Sequence, residues 1–189
     1  MTELPIQGIL LRVLSTLEAV PIPYMIMGGF AVRAIGIPRP TYDADLTIEA
    51  SDETLTRLFK ALEKDGFMVP DEFRKGFRDS ILDMAKVKVQ KFEEQHVWDV
   101  DLFLVTTPYQ RAAFARRQKV LFLGAGRWMI TPEDLVLHKL LANRRKDLLD
   151  VEEVLRIQVS LDRDYLRDWA ANLKITARLE DMLREAGQV

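Results

Sequence analysis

The sequence has no cysteine. That excludes a disulfide framework, a thiolate metal site and a cysteine nucleophile, and it fits a reducing, cytoplasmic setting. No apolar run approaches the ~20 residues of a membrane-spanning helix. Met1–Gln7 carries an early Glu3 and no basic flank, so it does not read as a secretory signal. Basic residues are not in excess: 27 Lys and Arg stand against 29 Asp and Glu, so a nucleic-acid partner would depend on a local patch. Histidine is scarce. His96 and His138 are isolated, with no His-Glu-x-x-His spacing, which reads against a zinc site. No Gly-x-x-x-x-Gly-Lys run occurs, so the chain is not a P-loop enzyme. What remains is ordinary for a globular protein: 189 residues, 48% hydrophobic and 30% charged, enough for one core plus a helical extension.

The informative stretch is Tyr24 to Glu49. Tyr24–Met27 is short and apolar, as a buried strand is. Gly28-Gly29 permits a sharp turn at positive φ and a close approach of backbone to ligand. Phe30–Ile35 resumes a helical pattern whose first N–H groups would face the turn and suit a phosphate. Pro38 and Pro40 stop that helix and stiffen the loop. Asp43 and Asp45 then sit at i and i+2 of a second strand, so both carboxylates leave on one face. Their Cα atoms would lie ~6.5–7 Å apart at strand rise. Two carboxylates so placed repel unless a cation lies between them. Magnesium, which takes a few hard oxygens plus substrate phosphates, suits the pair.

Gly28-Gly29-Phe30-Ala31, followed by Arg39-Pro40-Thr41-Tyr42-Asp43-Ala44-Asp45-Leu46, resembles the signature of the nucleotidyltransferase superfamily that includes DNA polymerase beta. Within it, the stretch is similar to the small bacterial branch of AbiEii-type toxins and minimal nucleotidyltransferases, some of which modify antibiotics. The resemblance implies an α/β fold: a small mixed, twisted sheet with flanking helices. It also implies a third carboxylate on a neighbouring strand, acting as base toward an acceptor hydroxyl. In Val97–Val105 that acid is Asp101, with Asp99 as runner-up on the same face. Two magnesium ions ~3.5–4 Å apart would clamp the attacking and leaving oxygens.

A second resemblance to the same branch runs from Thr131 to Leu155. It rests on Pro132-Glu133-Asp134-Leu135, Lys139-Leu140 and Asn143-Arg144-Arg145-Lys146-Asp147-Leu148-Leu149-Asp150-Val151. It implies that Lys139 contacts the triphosphate and that a Lys-Asp-x-x-Asp turn faces the nucleotide. A cation there would neutralise charge on leaving pyrophosphate. Arg144 or Arg145 offers the same service, while Asp147 and Asp150 would fix the turn. Arg39 either contacts phosphate or pairs with a nearby acid, and Thr41 either contacts ligand or caps its loop.

The rest of the chain is read from pattern. Leu4–Val20 has helical spacing and ends at Pro21 and Pro23. Ser51 with Asp52-Glu53 starts a helix whose stripe is Leu55, Leu58, Phe59 and Leu62, ended by Gly66. Met68–Asp79 fits either a mobile loop or a short helix. Ala85–Phe92 alternates as a strand. Pro108 starts a helix to Arg117, and Arg111, Arg116, Arg117 and Lys119 form a basic cluster: a solvated helix face, or a nucleic-acid patch. Val120–Leu123 and Arg127–Ile130 flank Gly124-Ala125-Gly126 as a hairpin. Thr131-Pro132-Glu133-Asp134 is a capped helix start. Two further helices follow from Asp162 to Ala186. The division expected is a nucleotidyltransferase-like core over residues 1–130 and a helical segment over residues 131–189 packed on it.

The function expected is transfer of a nucleoside monophosphate from a nucleoside triphosphate such as ATP, with magnesium, to an acceptor hydroxyl. The acceptor could be tRNA, a protein side chain or a small molecule such as an aminoglycoside. The AbiEii resemblance adds a toxin role with an antitoxin partner. The alternatives are an antibiotic-modifying enzyme and a non-catalytic binding or regulatory protein of the same fold.

Overall fold

The computed structural model describes residues 5–74, 78–79 (backbone alone), 84–93, 95–158 and 160–188. The chain opens with α1 (Pro5–Ala19), then β1 (Tyr24–Met27), α2 (Gly28–Ala34), β2 (Asp43–Ile48), α3 (Asp52–Lys64) and α4 (Asp71–Arg74). It continues with β3 (Arg78–Asp79), β4 (Met84–Glu93), β5 (His96–Leu104), α5 (Pro108–Arg116), β6 (Gln118–Phe122) and β7 (Ala125–Met129). Four helices close it: α6 (Pro132–Ala142), α7 (Arg145–Ile157), α8 (Arg163–Asn172) and α9 (Thr176–Glu185).

The strands form a mixed seven-stranded sheet in the order β3-β4-β5-β2-β1-β7-β6. β2 runs antiparallel to β1 and parallel to β5, and β1 also meets β7 in parallel. Alternation along the central strands divides the sheet into two faces. Ala44, Leu46, Val89, Val100 and Leu102 are fully buried on one of them, and α1 packs against β2 and β5 and against α3. The buried stripe of α1, Ile6, Ile9, Leu10, Val13, Leu14 and Leu17, is the helical spacing seen in the sequence. A leucine buried like Leu46 is worth ~2–5 kcal/mol against alanine. That packing pins one face of β2 to the helices and leaves Asp43 and Asp45 on the other.

Local signals in the sequence place most element starts. Ser51 accepts from the Thr54 backbone N–H at 3.3 Å and caps α3. Thr107 and Gln110 make a reciprocal capping box at α5. Thr131 caps α6 ahead of Pro132. Met68–Asp79 contains the short helix α4, and its residues 75–77 lie outside the described residues. One boundary differs from expectation: α2 starts at Gly28 rather than Phe30, so the two glycines are its first turn.

Helices α6 to α9 pack on one another, and their apolar residues join one continuous buried cluster with the sheet. A polar latch secures α8. The Tyr165 hydroxyl donates to Asp134 Oδ1 at 2.7 Å, and the Arg116 guanidinium lies 3.8 Å from the Tyr165 ring centre. The backbone N–H of Asp162 donates to Glu133 Oε1 at 3.1 Å. Part of the expected basic cluster is therefore used inside the fold, while Arg111 and Lys119 are exposed. Arg116 pairs with Glu133 and Asp134, Arg117 donates to the Phe114 carbonyl and covers the Trp128 ring, and Arg111 donates to the Thr106 carbonyl.

Candidate active site

A cleft of about 130 Å³ opens on the face of the sheet that carries the aspartates. Strand register decides which acids enter it. Asp45 lies opposite Asp101 across the parallel β2–β5 pair, and Asp43 lies opposite Asp99. Asp43, Asp45 and Asp101 line the cleft together with Gly28, Gly29, Arg39, Lys139 and Arg144. Asp99 shares the face but is drawn away, accepting from Lys88 Nζ at 2.6 Å and from Gln90 Nε2 at 2.9 Å. Burial would raise the Asp99 carboxyl, but Lys88 and Gln90 outweigh it and hold the group below the usual carboxylate range.

Asp45 is pushed the other way. Burial, and then the charges of Asp43 and Asp101, lift its carboxyl up to about 7, against the pull of Lys139 and Arg144. Asp101 accepts from Lys86 Nζ at 3.0 Å through Oδ2, and Lys88 Nζ forms an ion pair with its Oδ1 at 3.6 Å. Its Oδ1 is buried without a hydrogen-bond partner among the described residues.

The glycine turn is built around Asp45. Gly28 has φ +64, and a Cβ there would stand 1.9 Å from Asp45 Oδ2. Gly29 is pressed against Thr41, whose hydroxyl would lie 2.6 Å from an added Cβ. Thr41 is buried and supports this turn; it does not line the cleft. Gly28→Ala therefore combines left-handed strain with displacement of the carboxylate. It should cost about 1–3 kcal/mol and about 10²-fold or more in turnover. Gly36 also has positive φ, at +100, but nothing lies within 4 Å of an added Cβ. Gly36→Ala should lose comparable stability and keep activity, as thermal melts beside rate measurements would show.

The second wall is ionic. Lys139 Nζ reaches Asp150 Oδ2 at 2.5 Å and Asp147 Oδ1 at 3.2 Å. Arg39 pairs with the same Asp150 oxygen, and Arg144 Nε with Asp147 at 2.6 Å. Burial would raise Asp147, but Arg144 and Lys139 hold it below its ordinary range. Lys139, Asp147 and Asp150 are buried, while the Arg144 side chain is 56% exposed and Lys146 is exposed at the cleft. The Lys-Asp-x-x-Asp segment is not a turn, as expected, but the first two turns of α7. The break before it is Asn143, left-handed at φ 51, which caps α6.

Lining residues without a role in the sequence reading include Lys86, Phe103 and His138. Lys86, Lys88 and Gln90 alternate along β4 opposite the acids of β5, and that alternation was the available signal. Burial, with Lys139 adding to it, pushes His138 down to about 4, so its ring is neutral at neutral pH.

Among the described residues, no group of three or more His, Cys, Asp or Glu closes into a metal cage. The donor chemistry nevertheless fits magnesium, which takes one or two carboxylates and completes its shell with water and phosphate oxygens. Burial is the larger cause of the rise of Asp45 to about 7, and the smaller one, the repulsion of Asp43 and Asp101, is what a divalent cation would relieve.

The fold is nucleotidyltransferase-like, and solved structures share it. An antigenic nucleotidyltransferase-like protein from Paracoccidioides brasiliensis matches 92% of this chain and 90% of its own, at 22% identity and a TM-score of 0.57. ANT(2'')-Ia, solved in complex with adenylyl-2''-tobramycin, matches 88% of this chain and 95% of its own, at 16% identity and a TM-score of 0.56. The lincosamide antibiotic adenylyltransferase LnuA, solved with lincomycin bound, matches 79% of this chain and 96% of its own, at 15% identity and a TM-score of 0.55. No protein-family model and no curated protein matches the chain.

Proposed function

We propose that the protein transfers a nucleoside monophosphate from a nucleoside triphosphate to the hydroxyl of a small-molecule acceptor. One observation carries this: Asp43, Asp45 and Asp101 meet in one cleft beside the Gly28-Gly29 turn, with Arg144 and Lys146 on the opposite wall. Asp43, Asp45 and Asp101 would hold magnesium, which supplies charge neutralisation at the phosphates when bound. Arg144 and Lys146 meet the triphosphate, and Lys139 and Arg39 keep α7 in place behind them. Asp101 Oδ1 takes the acceptor proton. The acceptor oxygen bonds to the α-phosphorus as the bond to pyrophosphate breaks, and the cationic wall receives the charge that builds there.

Two features favour a small molecule over tRNA. The net charge is −2, and Arg116 and Arg117 of the basic cluster around α5 are engaged in contacts within the fold. The toxin role suggested by the AbiEii resemblance needs an essential macromolecular target, and these features argue against that class. The relatives solved with tobramycin and lincomycin products or ligands point the same way.

The test is label transfer from each α-labelled nucleoside triphosphate, with magnesium, into a lysate separated into RNA, protein and small molecules. Label is expected in the small-molecule fraction and lost with Asp43→Asn. Label in RNA or protein would overturn the acceptor class. No label from a folded protein would favour a non-catalytic binding role.

A further inference from the structure

Asp101 does not face the cleft alone. Its Oδ2 accepts from Lys86 Nζ at 3.0 Å. That ammonium also stands 5.6 Å from the centre of the Phe103 ring, and both Lys86 and Phe103 line the cleft beside the aspartates. The Lys86 and Asp101 side chains are 13% and 19% exposed, so water and salt screen the pair little.

Strand pairing explains why this lysine enters the cleft. Across β4 and β5, Lys88 lies opposite Asp101 and Lys86 opposite Phe103. Both ammonium groups reach diagonally, one pair along: Lys88 bonds Asp99 at 2.6 Å, and Lys86 bonds Asp101. Lys88 still lies 3.6 Å from Asp101 Oδ1, so each oxygen of Asp101 has an ammonium near it. Asp45 stands differently. It packs against Gly28, and the cations that pull on it are Lys139 and Arg144 of the second wall. Positive charge on the β4 side of the cleft is thus already fixed at Asp101. The repulsion left for a metal to relieve is on the side of Asp43 and Asp45.

We propose that the site binds one magnesium ion, and that the Lys86 ammonium supplies the second positive charge in place of a second metal. The proposal rests on the nucleotidyl-transfer reading and departs from the two ions that the family resemblance implies. Charge and coordination both argue for it. Three ionised carboxylates and the Lys86 ammonium leave two net negative charges on that wall of the cleft, which one divalent ion cancels. A second ion drawing on Asp101 would meet the repulsion of an ammonium bonded to the same carboxylate, where screening is low. Magnesium also sheds water reluctantly and needs an octahedral set of oxygens, whereas an ammonium acts as a point charge with no shell to complete. Lys86 is a positioning residue: it acts through Asp101, holding Oδ2 and leaving Oδ1 for the acceptor proton.

The experiment counts ions. The full chain is mixed with an equal amount of α,β-methylene-ATP, which binds without turnover, and titrated with Mn²⁺ as a paramagnetic stand-in for magnesium. Bound Mn²⁺ is read from loss of the free-ion resonance. Pairing is read from the spectrum itself, since two ions ~3.5–4 Å apart couple magnetically and a single ion does not. The parent and Lys88→Met should each bind one uncoupled ion. Lys86→Met should bind two, coupled, and Lys86→Arg should return to one. The parent's count decides between one ion and two without any variant. Two coupled ions in a parent that transfers label would overturn the one-ion centre and leave the function standing. A Lys86→Met protein that stays at one ion, or takes a second only when Lys88→Met is added, would overturn the assignment to Lys86. A folded parent that binds neither the analogue nor Mn²⁺ would overturn nucleotidyl transfer, and this inference with it.

Discussion

Asp45→Asn should abolish nucleotidyl transfer, by on the order of 10³-fold or more, while making the magnesium-free protein more stable than the parent above pH 7. The two effects share one cause. In the folded chain the Asp45 carboxyl is lifted from 3.8 to about 7. A group whose folded value is raised binds its proton more tightly in the folded state. Its contribution is therefore greatest below about pH 4 and is lost as pH rises through about 7. The full loss is about 4 kcal/mol at 1.36 kcal/mol per unit. Asparagine keeps the shape, removes the charge and removes that loss. His138 has the opposite sense: its folded value is depressed to about 4, so stability is gained as pH rises from about 4 through about 6.5. In the parent the two slopes oppose each other. The clean measurement is the difference between variant and parent in denaturant midpoints across pH 4 to 8. It should grow in the variant's favour up to about pH 7 and then level. Magnesium at pH 7.5 should raise the parent's melting temperature and leave that of Asp45→Asn almost unmoved. A difference that stays flat with pH would mean Asp45 ionises freely, and would remove the argument that the carboxylates crowd.

The part of this site written within one stretch of chain was legible from sequence. Tyr24–Met27, the two glycines and the alternating Asp43 and Asp45 are neighbours, and their spacing alone gives strand, turn and shared face. The same holds for Thr131 and Pro132, which announce α6 by capping chemistry. What depends on pairing between distant segments was not legible. The sequence reading put Asp101 ahead of Asp99 by resemblance, although both lie on one face of one strand. Only the register that sets Asp45 against Asp101, and the lysine and glutamine that β4 brings to Asp99, separate them. Lys86 entered the cleft unseen for the same reason. Thr41 had two open readings, ligand contact or loop cap, and in the structure it is buried and packs closely against Gly29. Arg39 had two open readings. The structure pairs it with Asp150, 111 residues away, at a position that also lines the cleft.

That long-range network also changes what Lys139 should do. Lys139→Met should cost about 3 kcal/mol of stability, because it leaves two buried carboxylates short of their shared cation. Arg39 still holds Asp150 and Arg144 still holds Asp147, so collapse is not expected. A lysine whose first duty were the triphosphate would sit toward solvent and cost little stability when removed. Lys139 is 6% exposed and bonded to both acids. The discriminating variant removes all three charges: Lys139→Met with Asp147→Asn and Asp150→Asn. Replacing the buried charges of the network together by neutral groups of similar size is near neutral for stability, and Arg39 and Arg144, left without partners, reach solvent, so this triple variant should melt close to the parent. Its transfer rate then isolates chemistry from folding. With Lys139 as a positioning residue, the triple variant keeps its turnover number within about tenfold and loses mainly nucleotide affinity, as Arg39 and Arg144 are released from their fixed partners. A triple variant that folds like the parent but loses turnover by 10³-fold would assign Lys139 to the leaving pyrophosphate itself. Its bonds to Asp147 and Asp150 would then be the resting place of a side chain that moves to the phosphates when nucleotide binds.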